Sequence, residues 1–181
     1  RHISDDDIQR LLAEIDRPLN LEMAATGEML AIALAHKPHA VCLVPERREE
    51  RTTEGGLDVR GGENFLPVFV DKLTDAGIRV SLFIEPSPVQ LEAARRIGSP
   101  VVELHAGAYC NAEGAEQERE LQRLVDGAAM AESLGLECHV GHGLSFENVA
   151  PVAAIATVME LNIGHFLIGE AIFGGLDSSI R

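Results

Sequence analysis

Short apolar runs alternate with amphipathic stretches along almost the whole chain. Ile8, Leu11, Leu12 and Ile15 recur at helical spacing behind Ser4, and Asp5, Asp6 and Asp7 suit the positive N-terminal end of that helix. Six strands are predicted at Leu19–Ala24, Ala40–Pro45, Arg79–Ile84, Val101–His105, Glu137–Gly141 and Glu160–Leu167. Helices are predicted at Glu28–His36, through Phe65, Val68, Phe69 and Leu73, and at Ser87–Ile97, Glu113–Leu134, Phe146–Ile155 and from Gly169 onward. Each strand is thus followed by a helix, an alternation that implies a parallel sheet.

A doubly wound open sheet and a (β/α)8 barrel both fit this alternation. No glycine-rich dinucleotide fingerprint follows a strand, since Gly55-Gly56 and Gly61-Gly62 fall in a loop. Polar residues recur at the C-terminal ends of the strands, where barrels carry their chemistry. The fold expected is an α/β TIM barrel, cut to about six β/α units and forming one domain over residues 1–181. The absent pair of units is expected before Arg1, so the chain is expected to be part of a longer polypeptide.

The net charge of −14 argues against broad nucleic-acid or anionic-membrane binding, which need a basic face. No apolar run approaches the ~20 residues of a membrane span. Cys42, Cys110 and Cys138 are odd in number and lack metal-ligand spacing. They read as thiols of a reducing compartment, and the expected location is cytoplasmic.

Candidate chemistry gathers at the strand ends. His142 in Val140-Gly141-His142-Gly143-Leu144 and His165 in Asn162-Ile163-Gly164-His165-Phe166 lie among glycines. Bare backbone beside a titratable ring suits an anion or an acid–base step. Alternation places Glu22 with Asn20, and Glu103 with His105, on the barrel side of their strands. A carboxylate there is expensive unless paired. A structural network with lysine or arginine is one reading of each glutamate; the two together favour acid–base catalysis. The charged loop from Glu46 to about Gly62 reads as a closing lid or as a solvated connector. His36, His39 and His139 read as structural or surface residues.

Leu19-Asn20-Leu21-Glu22-Met23-Ala24, Cys42-Leu43-Val44-Pro45-Glu46-Arg47, Thr52-Thr53-Glu54-Gly55-Gly56-Leu57-Asp58, Gly141-His142-Gly143-Leu144 and Leu161-Asn162-Ile163-Gly164-His165 resemble, in order and spacing, the pyridoxine 5′-phosphate synthase family (PdxJ). The resemblance implies a cytoplasmic, typically homo-octameric barrel that condenses 3-amino-2-oxopropyl phosphate with 1-deoxy-D-xylulose 5-phosphate. The products are pyridoxine 5′-phosphate, phosphate and water, with no metal or organic cofactor. By position Glu22 would be a general base, His142 a proton donor and Glu103 a transition-state stabiliser. His2 and Thr52 would hold the deoxyxylulose phosphate; Gly143, Gly164 and His165 would hold the amino-ketone phosphate. Departures lie at the ends, where the family's first strand and a second-strand histidine base and arginine are missing. The alternatives are a non-catalytic fragment or paralogue, or another phosphate-binding barrel isomerase or lyase. A Schiff-base lyase should show a strand-borne lysine, whereas Lys37 and Lys72 fall on predicted helices.

Overall fold

The computed structural model of the protein describes residues 3–46, 52 and 55–181. Six parallel strands run β1 (Asn20–Met23), β2 (Ala40–Leu43), β3 (Arg79–Ile84), β4 (Val101–His105), β5 (Glu137–Gly141) and β6 (Val158–Asn162). Their order in the sheet is their order in the chain. Together they form a curled arc of a TIM-type barrel, with the helices outside.

Local chemistry sets the helix boundaries. In α1 (Asp5–Glu14), Ser4 and Asp7 form a reciprocal capping box. Those hydrogen bonds to Ser4 hold the Asp7 carboxyl below its usual range. The Thr26 hydroxyl accepts the Met29 N–H to open α2 (Gly27–His36), which stops at Lys37 in a left-handed conformation, φ +49°. Prolines in the first turn start α3 (Leu66–Asp75) and α4 (Pro88–Arg96), where a missing N–H costs nothing.

The outer core lies between strands and helices. Leu43, Leu82, Ile84 and Leu104 of the strands meet Leu66 and Leu73 of α3, Leu91 of α4 and Leu124 of the long helix α6 (Gly114–Ser133), all fully buried. Each such side chain contributes about 1.5–3 kcal/mol on leaving water. Along α6, Gly127, Ala128 and Ala131 form the buried face. A Cβ on Gly127 would press on Pro86 and Leu104, so the small residues let the helix approach the sheet.

Three strands have the predicted bounds: Arg79–Ile84, Val101–His105 and Glu137–Gly141. The last strand corrects the prediction of Glu160–Leu167. It ends at Asn162, and α8 (His165–Gly174) begins at His165 rather than Gly169. The run Phe166-Leu167-Ile168 is apolar enough to read as strand, but the chain turns into helix at Gly164. One short helix escaped prediction, α5 (Gly107–Asn111) directly after β4, and the helix expected from Gly169 onward is broken at Gly175, beyond which α9 (Leu176–Ile180) follows. The predicted Phe146–Ile155 helix shortens to α7 (Val149–Ala153).

Candidate active site

Glu22 projects from β1 and Glu103 from β4 on the inner side of the arc. Cys42, directly across from Glu22 in the register, lies between them. The Cys42 thiol donates to Glu103 Oε2 at 3.6 Å, and the Asn162 side-chain amide donates to the same oxygen at 2.9 Å. Glu103 is 4% exposed. Burial first, and then the negative charge of Glu22, push its carboxyl up to about 7, against the opposing pull of the Cys42 and Asn162 hydrogen bonds. Among the described residues the donors to Glu103 are neutral, not the lysine or arginine of the alternative structural reading. The buried Cys42 thiol is itself held well above the ordinary thiol range by burial and by the Glu103 charge.

Glycines near the two histidines do different work. At Gly141 a Cβ would overlap the Glu103 carboxylate, so this glycine makes room for a neighbouring side chain, not for a ligand. His142 and Gly143 both have left-handed backbone, φ +73° and +89°. A non-glycine residue there is strained, a state found mainly where function over-determines the conformation. Unlike Gly141 and Gly143, Gly164 faces open space. It opens α8 without any side-chain cap, so first-turn N–H groups have no side-chain acceptor there.

His142 sits with its ring centroid 4.8 Å from that of His105 and 6.0 Å from that of Phe83. Partial desolvation, followed by the charges of His105 and His165, lowers its pKa below the usual histidine value. Phe146 and Phe166 meet edge to face at 4.9 Å, tying the loop after β5 to α8 and so holding the His142 and His165 segments side by side.

Above Glu103, His105 Nδ1 bonds Glu85 Oε1 at 2.8 Å, and the Gly56 N–H donates to the same oxygen at 2.9 Å. The Thr52 N–H donates to the Gly56 carbonyl at 2.8 Å, and the Thr52 hydroxyl accepts from the Gly55 N–H at 3.3 Å. Thr52 therefore stands at this end of the strands. His2 and residues 47–51, 53 and 54 of the loop lie outside the described residues. Among the described residues, no group of three His, Cys, Asp or Glu side chains could hold a metal ion, and no helix is long and apolar enough to cross a membrane.

Glu22, Glu103, His142, Gly143, Gly164, His165 and Thr52 thus share one end of the sheet. Sequence reasoning missed Cys42, Asn162 and Glu85. Register pairing supplies the first two, and Glu85 sits one residue beyond β3 in what reads as a turn. His139 is structural as expected, bonded to Glu137 Oε1 at 2.8 Å and 3.5 Å from Glu160. It lines a cavity of about 300 Å³ at the opposite, N-terminal ends of the strands, with Asn20, Arg79 and Ser81.

The family model of the pyridoxal phosphate biosynthesis protein PdxJ matches residues 1–181. The chain belongs to the PdxJ family. A pyridoxine 5′-phosphate synthase of Rhodospirillum rubrum is 64% identical over 99% of this chain and 73% of its own length. One from Zymomonas mobilis subsp. mobilis is 60% identical over all of this chain and 71% of its own. Two solved structures share the fold alone. A xylose isomerase domain protein from Planctomyces limnophilus aligns with TM-score 0.52 and 17% identity, over 81% of this chain and 62% of that one. The PaMucR phosphodiesterase in complex with c-di-GMP aligns with TM-score 0.58 and 11% identity, over 86% and 65%. The chain therefore spans less than two thirds of either structure and nearly three quarters of the two synthases.

Proposed function

We propose that this PdxJ chain, as one barrel domain of its protein, condenses 3-amino-2-oxopropyl phosphate with 1-deoxy-D-xylulose 5-phosphate to pyridoxine 5′-phosphate, phosphate and water. Membership of the family makes it an enzyme of pyridoxine phosphate formation in vitamin B6 biosynthesis. The observation that carries the detailed reading is Glu103. It is a buried carboxyl poised at about 7 between a second carboxylate and two neutral donors, on the strand ends beside His142.

Joining the amine to the ketone forms a C=N bond and expels water, and elimination then releases phosphate. Enolisation and ring closure onto the remaining ketone follow, and aromatisation expels a second water; each step moves protons between carbon, nitrogen and oxygen. Glu22, on the open side of the arc, acts as a base toward carbon-bound protons. His142, with its lowered pKa, gives up a proton readily once protonated. Glu103 stabilises charge as it develops, able to be neutral or ionised near pH 7. The uncapped start of α8 with Gly164 and His165, together with Gly143, suits the amino-ketone phosphate, as helix N-termini suit anions. Thr52, with His2, takes the deoxyxylulose phosphate. A cytoplasmic homo-octamer without cofactor completes the reading.

Supplying both phosphorylated substrates to the full-length protein should yield pyridoxine 5′-phosphate and inorganic phosphate together. Absence of both products overturns the assignment.

A further inference from the structure

Glu85 is 3% exposed, and its Oε1 accepts from two partners that belong to different parts of the site. One is the Gly56 N–H at 2.9 Å, and through the Gly56 carbonyl the contact continues to the Thr52 N–H. The other is His105 Nδ1 at 2.8 Å, which must be the donor because a carboxylate only accepts. The His105 ring then lies 5.0 Å from Phe83 and 4.8 Å from His142 between centroids. Backbone is shaped around this ring: His105 Nε2 occupies the space a Cβ on Gly107 would need, and His105 Cε1 lies 3.3 Å from where one on Gly55 would stand. A Cβ on Gly56 would strike the backbone of Ile84 and Glu85. A buried carboxylate without hydrogen bonds is costly, so both contacts are retained in the fold, and each ties one side of the site to Glu85.

We propose that Glu85 and His105 are positioning residues for the synthase reaction, joining the Thr52 turn to His142 so that the ketose-phosphate side and the proton donor are held in one arrangement. The inference rests on the reading given under Proposed function.

Two variants of the full-length protein separate the halves of the bridge. Glu85→Leu keeps about the same volume and removes the one oxygen on which both donors converge. It should raise KM for the ketose phosphate about tenfold, with a smaller fall in kcat. In His105→Asn the side-chain amide N–H stands in for Nδ1–H toward Glu85, while the ring beside His142 is lost. KM should stay near wild type and kcat should fall about tenfold. The groups facing His142 are His105 from β4, His165 from α8 and the Cys110 thiol from α5, with apolar Phe83 from β3. Removing His105 should therefore move the His142 NMR titration upward, measured without substrate. A purely structural role would lower the melting temperature of both variants and leave the KM–kcat split and the titration unchanged. Wild-type kinetics in both variants, or an unmoved His142 titration in His105→Asn, overturns the proposal. The substrate-free titration judges it even if wild-type protein makes no pyridoxine 5′-phosphate, a result that would count against the function instead.

Discussion

The Asn162 amide reaches from the last strand to donate to Glu103 Oε2 at 2.9 Å, two strands away. This contact and the Cys42 thiol on the far side fix one carboxylate oxygen, while the other rests over the bare backbone of Gly141. The orientation of Glu103 is thereby determined by residues of three other strands.

The raised pKa of Glu103 carries a stability cost with a definite sign. Its folded value of about 7 lies above the ordinary 4.5, so its contribution is present below pH 4.5 and is lost as pH rises through 7. Between pH 5 and 8 this amounts to about 2–3 kcal/mol. Urea unfolding should show wild type losing that much more stability than Glu103→Gln over this interval. Identical pH dependence in the two proteins would refute the burial of an ionising group there.

Gly141→Ala and Gly164→Ala should behave as opposites. The first forces a methyl group into the Glu103 carboxylate and should destabilise by about 1–3 kcal/mol, seen as a lower denaturation midpoint. The second enters open space and should leave folding intact while weakening binding of the amino-ketone phosphate. Equal midpoints for the two variants would contradict the packing at Gly141.

Inorganic phosphate should perturb the amide resonances at the start of α8, His165 and Phe166 foremost, in a saturable manner. The interaction should weaken with added salt. Shifts confined to the far end of the strands would place the anion elsewhere.

Glu22→Gln and His142→Ala should each depress turnover by about a hundredfold or more, as expected for lost acid–base groups, with the thermal midpoint little changed. The protonated form of His142 is depleted as pH rises through its lowered pKa. A step in which it donates should therefore slow on the alkaline side of that value, and the His142→Ala profile should lack that limb. Wild-type rates in either variant would remove that residue from the site.

At the opposite end of the strands, Arg79 bridges to Glu137, which in turn bonds His139. Arg79 and then His139 hold the Glu137 carboxyl below its usual range. Both partners are about one-third exposed, so Arg79→Met should cost no more than about 1 kcal/mol. Turnover should be unchanged, because this face of a barrel serves stability. A large loss of activity at constant stability would show that the N-terminal cavity takes part in catalysis.

The strands were legible because they are short apolar runs, such as Leu82-Phe83-Ile84 and Val101-Val102, set between helical stretches. The start of α8 was not, since Phe166-Leu167-Ile168 carries no polar face to reveal a helical period. Glu22, Glu103 and His142 could be singled out locally, by alternation and by flanking glycines. The roles of Cys42 and Asn162 could not: each depends on curvature that brings their strands toward Glu103, and curvature leaves no trace in a linear pattern. The openness read into Gly141 failed for the same reason, because its missing side chain is matched by a residue 38 positions earlier, Glu103.

Because every neighbouring pair of strands is also consecutive in the chain, each β/α unit can dock on the one before it without closing a long loop. The chemistry does not mature at the same pace. Glu22 arrives with the first unit, yet Glu103 has no Asn162 beside it, and His142 no His165, until the sixth is in place. A molecule that frays at its C-terminal unit can keep most of its core and still be inert, so catalytic turnover reports completion of the arc more sharply than any measure of helix content.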